Sequence, residues 1–316
     1  MLRTQREPVR TAADHRDLPT VMTELRLETA MDLLVGATGE LGGRVVRRLL
    51  ERGIKVRVLV RDTSDVGPLK AAGAELAFGD LKELVTVDAA CKGIDRIIST
   101  ATGASRGGED SVDAVDRQGH ATLLRCAENS GVQSFVYVSA TGFKTDSPVD
   151  LARAKASTAE AIRSSGLNYT ILQPALFMES WIAFVIGAQI RSSDTVQVIG
   201  DPARRYGFVA VENVADLILG VLENPDAQRA DIPLSAGSCS YQQIVAWTAK
   251  ATGRDLKVHS LPPSSSIEGF PPIVNDLWSF AATGGMGPLT TPKVAERFGF
   301  EMIRPRVFVQ NLFGSD

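Results

Sequence analysis

The chain has 316 residues and a formal net charge of −3. This length suffices for one large or two modest domains, and the balanced charge gives no reason to expect nucleic acid or an anionic membrane surface as a partner. The three cysteines and three histidines lie far apart in the sequence, so we expect no bound metal and a reduced, cytoplasmic setting.

Residues 1–30 differ from the rest because they combine five arginines with five acidic residues and contain no apolar segment. This composition matches neither a secretory signal nor a transit peptide. We therefore expect a disordered arm that ends where the first strand begins.

A glycine-rich turn, Gly36-Ala37-Thr38-Gly39-Glu40-Leu41-Gly42, follows the apolar run at 33–35 and precedes an amphipathic stretch at 40–52. The turn thus joins a strand to a helix. Gly36 permits the sharp turn, Gly39 lets a pyrophosphate approach the main chain, and Gly42 lets the helix lie against the strand. We expect the dinucleotide to be bound by the following residues of this turn: Gly36, Thr38, Gly39, Glu40, Leu41 and Gly42. A purely structural turn is the weaker alternative.

The second apolar run, residues 56–60, ends on Arg61 and Asp62, about 20 residues beyond the turn, where such folds contact the ribose. A guanidinium would bind a 2′-phosphate through two hydrogen bonds, whereas a carboxylate would bind the hydroxyls of an unphosphorylated ribose. Because Arg61 comes first, we predict NADP. Asp62 keeps NAD as the less favoured cofactor, and a solvated Arg–Asp pair would have no cofactor role.

Apolar strand segments alternate with helical segments as far as residue 172, which predicts an α/β fold with a doubly wound, parallel Rossmann sheet. Ligands bind beyond the carboxyl ends of such strands. Asp80 and Leu81 follow the third strand and are predicted to hold the adenine. Ser99 ends the fourth strand, Thr100 and Ala101 follow it, and these three small residues leave room for the ribose. Ordinary turn chemistry explains each of these residues almost as well when it is taken alone.

Further candidates follow the fifth and sixth strands. Ser139 ends the fifth strand, where it could donate a hydrogen bond to a substrate carbonyl or cap its own loop. Lys155 lies in a predicted helix at 150–165, and residues 173–178 would face the nicotinamide. His120 lies inside a predicted helix at 112–129, and we expect it to be a packed or surface residue rather than a catalytic one.

These segments together resemble the atypical short-chain dehydrogenases, specifically the NmrA-like group that includes the isoflavone reductase type. The features that carry the resemblance are the turn 36–42, Val60-Arg61, Gly79-Asp80-Leu81, Phe135-Val136-Tyr137-Val138-Ser139, Lys155 and Thr170-Ile171-Leu172-Gln173-Pro174. They fall between residues 31 and 224, about two-thirds of the chain. The resemblance implies a six- or seven-stranded sheet with a smaller interleaved lobe. It also implies that Lys155 contacts the nicotinamide ribose and that Pro174, Ala175 and Phe177 line the ring.

The sequence departs from the superfamily at one position. Typical members place a tyrosine four residues before the lysine, where its phenol passes a proton to the carbonyl, but this chain has Leu151 there. Tyr137 and Tyr169 lie within strands and Arg153 lies on another face of the helix, so none of them is an obvious substitute.

Two functional accounts follow from the resemblance. In the isoflavone reductase type the lysine is the acid–base group, which requires burial or a neighbouring cation to lower the pKa of Lys155 toward neutrality. In the NmrA type the protein binds the dinucleotide without turning it over and reports its redox state or abundance to a partner. On this second account Lys155 only holds the ribose.

The segment 262–288 is rich in proline, glycine and serine and carries the aromatic residues Phe270, Trp278 and Phe280. These could form a lid over an apolar substrate or the core of the small lobe, and we favour the core. An apolar wall is predicted from residues 270–280 together with Phe143, Phe177, Met178 and Trp181. Such a wall would suit a flat or apolar carbonyl, quinone or conjugated alkene.

The predicted organisation is therefore a disordered arm at 1–30, an NAD(P)-binding Rossmann domain at 31–175, and a mixed segment at 176–316 that completes the sheet and forms the substrate lobe. The apolar stretch 181–190 is shorter than the roughly 20 residues that span a bilayer, so we expect a buried helix and no membrane association. The predicted function is that of an NADPH-dependent reductase, monomeric or homodimeric, with Lys155 and Ser139 at the reacting group. The alternative is a non-catalytic NADP-binding regulator or assembly factor with a protein partner.

Overall fold

The computed structural model describes residues 30–104 and 106–314. Its strands are β1 Met31–Val35, β2 Lys55–Val60, β3 Glu75–Phe78, β4 Arg96–Ser99, β5 Ser134–Val138, β6 Asn168–Pro174, β7 Leu176–Phe177, β8 Thr195–Ile199, β9 Arg205–Val209, β10 Ala230–Leu234, β11 Gly237–Ser240 and β12 Lys257–Leu261. Its α-helices are α1 Glu40–Glu51, α2 Gly67–Ala71, α3 Leu84–Cys91, α4 His120–Asn129, α5 Asp150–Ser164, α6 Gly187–Ser192, α7 Val211–Glu223, α8 Tyr241–Thr252, α9 Pro272–Ala282, α10 Pro292–Phe298 and α11 Pro305–Phe313. Wider π-helical segments, Asp113–Gly119 and Glu179–Ile186, lead into α4 and α6.

The central sheet has seven parallel strands in the order β3-β2-β1-β4-β5-β6-β10. The side chains of β1 alternate between its two faces, as strand geometry requires. Leu33 packs in one cluster with Leu123 of α4, whereas Leu34 packs in the other with Val46 of α1. Helices therefore cover both faces, and the predicted doubly wound Rossmann fold is confirmed.

The carboxyl-terminal third interleaves with this sheet. Strand β10 adds to its edge beside β6, while β11-β9-β7 and β12-β8 form two small separate sheets. The apolar core of the small lobe surrounds Trp181, Tyr241 and Trp278, all of which are buried.

Three further predictions concern the arm, the domain boundary and the apolar stretch at 181–190. Residues 1–29 of the expected arm lie outside the described residues. The boundary at residue 175 stays a prediction. The apolar stretch at 181–190 is helical and largely buried, and across 30–104 and 106–314 no helix has the length and apolar character needed to cross a membrane.

Candidate functional site

The glycine turn leaves no room for side chains where β1 meets α1. Gly36 has a φ of +94°, and a Cβ there would lie 2.7 Å from both the amide nitrogen of Ala101 and the hydroxyl of Thr100. A Cβ on Gly42 would lie 2.2 Å from the carbonyl oxygen of Gly36. Gly39 is the N-cap of α1 and supplies no side-chain hydrogen bond to the first turn of the helix. The first N–H groups of α1 therefore have no side-chain cap, and they can bind a pyrophosphate.

The end of β4 lies directly against this turn. Thr100 donates its amide hydrogen to Val35 at 2.9 Å, and its hydroxyl donates to the carbonyl of Gly36 at 3.3 Å. Ser99 behaves differently because it is fully buried and its hydroxyl lies 2.8 Å from Nε2 of His120. Thr100 and Ala101 therefore border the predicted cofactor site, whereas the Ser99 side chain belongs to the core.

Of the packed and surface positions expected for His120, the structure shows the packed one. It is buried, and its second ring nitrogen lies 2.9 Å from the carbonyl oxygen of Val115. Burial and the Lys155 cation lower the pKa of His120 to about 4, so the imidazole is neutral at pH 7.

A cluster of charges occupies the edge where β2 and β3 end. Arg61 contacts the Asp110 carboxylate, and Lys82 Nζ lies 2.8 Å from the other Asp110 oxygen. Lys82 Nζ also lies 3.4 Å from Asp80, and Arg106 lies 3.6 Å from Asp110. The hydrogen bond from Lys82, followed by the contact with Arg61, outweighs partial burial and lowers the pKa of Asp110. Three cations thus converge on one carboxylate at the predicted ribose end of the site.

The other residues predicted to bind the cofactor at this edge differ in exposure and in hydrogen bonding. Asp80 accepts a hydrogen bond from the Lys82 amide at 2.9 Å, which is ordinary turn chemistry. The Leu81 side chain is buried against Gly119, so it is a core residue, and an adenine contact would have to come from its backbone. Asp62, the residue that would favour NAD, is exposed.

Lys155 lies in a buried polar network beyond β5. Its ammonium donates to the carbonyl of Val138 at 3.1 Å and lies 3.4 Å from Oδ1 of the fully buried Asp116. It also lies 5.2 Å from the centre of the Tyr137 ring. Asp116 is held in turn, since its Oδ2 accepts from the amide of Gly103 at 2.8 Å. Ser139 follows Val138 directly and is largely buried at the same strand end.

This network contradicts the condition attached to Lys155 as an acid–base group. Burial disfavours the charged amine, but the contacts with Tyr137 and the Asp116 carboxylate outweigh it, so the pKa of Lys155 is raised instead of lowered. Tyr137 is fully buried and burial raises its pKa, while Leu151 packs in the apolar core. Lys155 is therefore a fixed cation at neutral pH.

The aromatic residues predicted to wall a pocket form, for the most part, the core of the small lobe. Met178 is fully buried, and Trp181 packs edge-on against Trp278 with ring centres 5.8 Å apart. Phe143 is partly exposed and packs against Phe280 at 6.4 Å. The lid is thus not observed for Trp278 and Phe280, and the favoured alternative, a core role, fits their burial.

The residues after β6 take up defined positions near the sheet edge. The Ala175 amide donates to Leu234 at 2.8 Å, and the carbonyl of Pro174 accepts from Thr141 at 3.0 Å. Phe177 is half-buried and pairs with Val209 in the small sheet. Their contact with a nicotinamide ring stays a prediction.

Sequence reasoning missed four charged residues of the site. Lys82 stands two positions after Asp80. Because the ends of neighbouring parallel strands lie side by side, its position near Arg61 could have been predicted. Arg106 and Asp110 come from a loop, and Asp116 from a π-helical segment, whose positions no periodicity indicates. Across the described ranges, no group of three or more His, Cys, Asp or Glu residues could hold a metal ion.

Comparisons with known proteins indicate the family and the fold of the chain. Residues 36–225 match a family model described as NAD(P)H-binding. An NAD(P)H azoreductase of Xenophilus azovorans is 25% identical over 279 residues, covering 84% of this chain and 93% of that protein. A photosystem II assembly factor of Trieres chinensis is 33% identical over 233 residues, covering 73% of this chain and 72% of that protein. An NADPH-dependent quinone oxidoreductase of Escherichia coli, solved with NADPH, shares the fold with a TM-score of 0.74 at 19% identity, over 90% of this chain and all of that one.

Proposed function

Because the chain belongs to the NAD(P)H-binding family, we propose that it is an NADPH-dependent reductase whose substrate is a quinone or a similarly conjugated, flat acceptor. The azoreductase likeness over most of both chains supports a reductase of conjugated acceptors. The fold shared with a quinone oxidoreductase is compatible with it.

The cations at the ends of β2 and β3 support NADPH over NADH. A 2′-phosphate is a dianion with three acceptor oxygens, and Arg61 and Lys82 together present a planar fork and a point charge at this edge. Asp62, which would favour an unphosphorylated ribose, is exposed beside them. The glycine turn would hold the pyrophosphate through α1, and Thr100 and Ala101 would border the nicotinamide half.

The single observation that carries the substrate class is the buried pair of Lys155 and Asp116. With its pKa raised, Lys155 keeps its proton at neutral pH and is a poor acid. A bound NADPH supplies a hydride. An isolated ketone that accepts a hydride becomes an alkoxide and needs an acid at hand, whereas a quinone becomes a delocalised phenolate that takes its proton from water. The chain therefore suits acceptors whose reduced form is already a stable anion.

Lys155 then contributes charge and position instead of a proton. Its ammonium is held at the carboxyl end of β5 by Val138 and Asp116, next to Ser139. A fixed positive charge at this edge favours an acceptor that becomes an anion. Ser139 would orient the acceptor oxygen by a hydrogen bond.

The first test is cofactor binding. We would titrate the protein with NADPH and NADH, following nicotinamide fluorescence, in the wild type and in Arg61→Ala. Arg47→Ala is the matched control, since Arg47 lies exposed on α1 and pairs only with Glu51 among the described residues. A selective loss of NADPH affinity in Arg61→Ala, and not in Arg47→Ala, supports NADPH as the cofactor. Equal binding of both nucleotides by every variant contradicts it.

The second test is turnover. NADPH oxidation would be followed with a quinone, an azo dye, a conjugated enone and a simple aliphatic ketone of similar size. The proposal expects oxidation with the quinone and none with the ketone, and it expects Lys155→Arg to retain more activity than Lys155→Met. Faster reduction of the ketone than of the quinone would contradict the argument from Lys155.

A non-catalytic, cofactor-binding assembly or regulatory factor is the second candidate. The likeness to a photosystem II assembly factor at 33% identity supports it, and so does Leu151 in the place of a phenol. Tight NADPH binding without oxidation by any acceptor of the panel is the result that would favour it.

A further inference from the structure

We propose that the Asp110 carboxylate is an internal substitute for the 2′-phosphate of the cofactor, which must displace it from Arg61, Lys82 and Arg106 in order to bind. The inference rests on the proposed NADPH function. It adds one binding residue, Arg106, to Arg61 and Lys82, and assigns to Asp110 the role of a competitor.

The geometry around Asp110 is that of an occupied anion site. Lys82 Nζ lies 2.8 Å from Oδ1, while Arg61 contacts Oδ2 and Arg106 lies 3.6 Å from it. Both oxygens of the carboxylate thus face cations. The three cations outnumber by one the two carboxylates that they contact, Asp110 and Asp80. A phosphate dianion satisfies this set of donors better than a single carboxylate does.

Asp110 reaches this place from a loop that can withdraw it. The loop follows β4 and includes Gly107 and Gly108, both with positive φ. Asp110 forms an isolated bridge with Gly107, its carbonyl oxygen packs against Gly103, and it lies outside the named strands. The side-chain contacts found for Asp110 are those with the three cations. Ion pairs that are partly exposed to water contribute little each, so an incoming phosphate can replace them.

Asp110 is not a pH switch. Its bond to Lys82 and its contact with Arg61 lower its pKa, so the carboxylate stays charged across the physiological range. The competition is therefore electrostatic, and it acts on NADPH alone because NADH carries no group for the cation site. Removing the charge at residue 110 should tighten NADPH binding, while removing a cation should weaken it.

The test is calorimetric titration of the full chain with 2′,5′-ADP and with ADP, which isolate the phosphate subsite, and with NADPH and NADH. The variants are Asp110→Asn and Lys82→Ala. Asp113→Asn is the matched control, because Asp113 is an exposed carboxylate on the adjoining helical segment that pairs with Arg117 and not with the cluster.

We expect Asp110→Asn to lower the dissociation constants of 2′,5′-ADP and NADPH by about fivefold, which is the magnitude of one partly exposed ion pair. ADP and NADH should bind as they do to the wild type, and Asp113→Asn should change nothing. Lys82→Ala should weaken NADPH by a comparable factor and leave NADH unchanged, which also shows that the variant is folded.

Three results overturn the inference alone. If Asp110→Asn weakens NADPH, the carboxylate orders the cations instead of competing. If it weakens NADH, Asp110 is a ribose ligand, and if neither changes, it is a bystander. Binding of neither nucleotide by the wild type overturns the proposed function and this inference with it.

Discussion

Replacement of Asp116 by asparagine tests the buried pair on which the substrate argument depends. Asp116 is fully buried and Lys155 nearly so, and Oδ1 of Asp116 lies 3.4 Å from the ammonium. The amide of Asn has nearly the same volume, and its oxygen can still accept from the Gly103 amide, now at 2.8 Å, and from the Thr102 hydroxyl at 3.3 Å. The substitution therefore removes the charge and leaves the backbone contacts in place.

The expected loss is about 3 kcal/mol of unfolding free energy, the lower end of the ~3–5 kcal/mol for removing one partner of a buried pair. We choose the lower end because Lys155 keeps its hydrogen bond to Val138. Urea denaturation at pH 7 measures the change. The double variant Asp116→Asn/Lys155→Met should recover much of the loss, because it leaves neither charge buried.

The pH dependence gives a test of sign. In the wild type the pKa of Lys155 is raised above 10.5, so its contribution is complete below that pH and is lost as pH rises through the folded-state pKa. In Asp116→Asn an unpaired buried amine should have a folded pKa below its unfolded value. The unfolded state then binds more protons, so the variant should regain stability relative to the wild type between pH 7 and 10.

A deficit below about 1 kcal/mol at pH 7, or one that does not shrink by pH 10, would refute this account. Lys155 would then be neutral or solvated in the folded protein, and it could serve as an acid–base group after all.

Three further predictions concern the scaffold of the site. Burial and the Lys155 cation lower the pKa of His120 from 6.5 to about 4, so its contribution is complete above pH 6.5. On acidification to pH 4 the wild type should lose up to about 3 kcal/mol of unfolding free energy that His120→Leu retains. Urea denaturation measures this, and an equal loss in the two proteins would contradict the prediction. Gly42→Ala places a Cβ 2.2 Å from the carbonyl oxygen of Gly36 and should lower Tm and weaken NADPH binding, whereas Gly43→Ala, with its nearest contact at 3.4 Å, should do neither. Cys91 is buried with a pKa raised to about 12, so mass spectrometry should find it unmodified by a thiol reagent at pH 8 in the native protein and modified after unfolding.

The sequence was sufficient for the fold and for the glycine turn because both depend on local spacing. Apolar periodicity located the strands, and Gly36 and Gly42 stand where the structure leaves no space for a Cβ. Parallel pairing then brings strand ends to one edge regardless of loop detail. Arg61 lies at that edge for this reason.

The sequence was insufficient for contacts that depend on residues supplied by a loop or by an irregular helix. The contacts that raise the pKa of Lys155 come from Tyr137 and from Asp116. Asp116 lies 39 residues before the lysine, in a π-helical segment that ordinary helical periodicity does not describe. Ser99 is the last residue of β4 and Leu81 follows β3, but the side chains of both are buried, in contrast to that of Thr100. The composition of the stretch around Trp278 left a lid and a core role open, and the tertiary packing of the small lobe places this residue in a helix with its side chain buried.

The two cation–carboxylate clusters at this edge of the sheet differ in a way that assigns them different tasks. Lys155 and Asp116 are withdrawn from water, so separating them would leave a charge without solvent, and no ligand that merely competes for the lysine can replace the aspartate. Lys82 and Asp110 remain about a quarter exposed, at 28% and 20%, so water stabilises both charges while one anion replaces another. The buried pair is therefore suited to fixing a charge beside the reacting group. The exposed pair is suited to exchange, and it lies at the end of the site where the two nicotinamide cofactors differ.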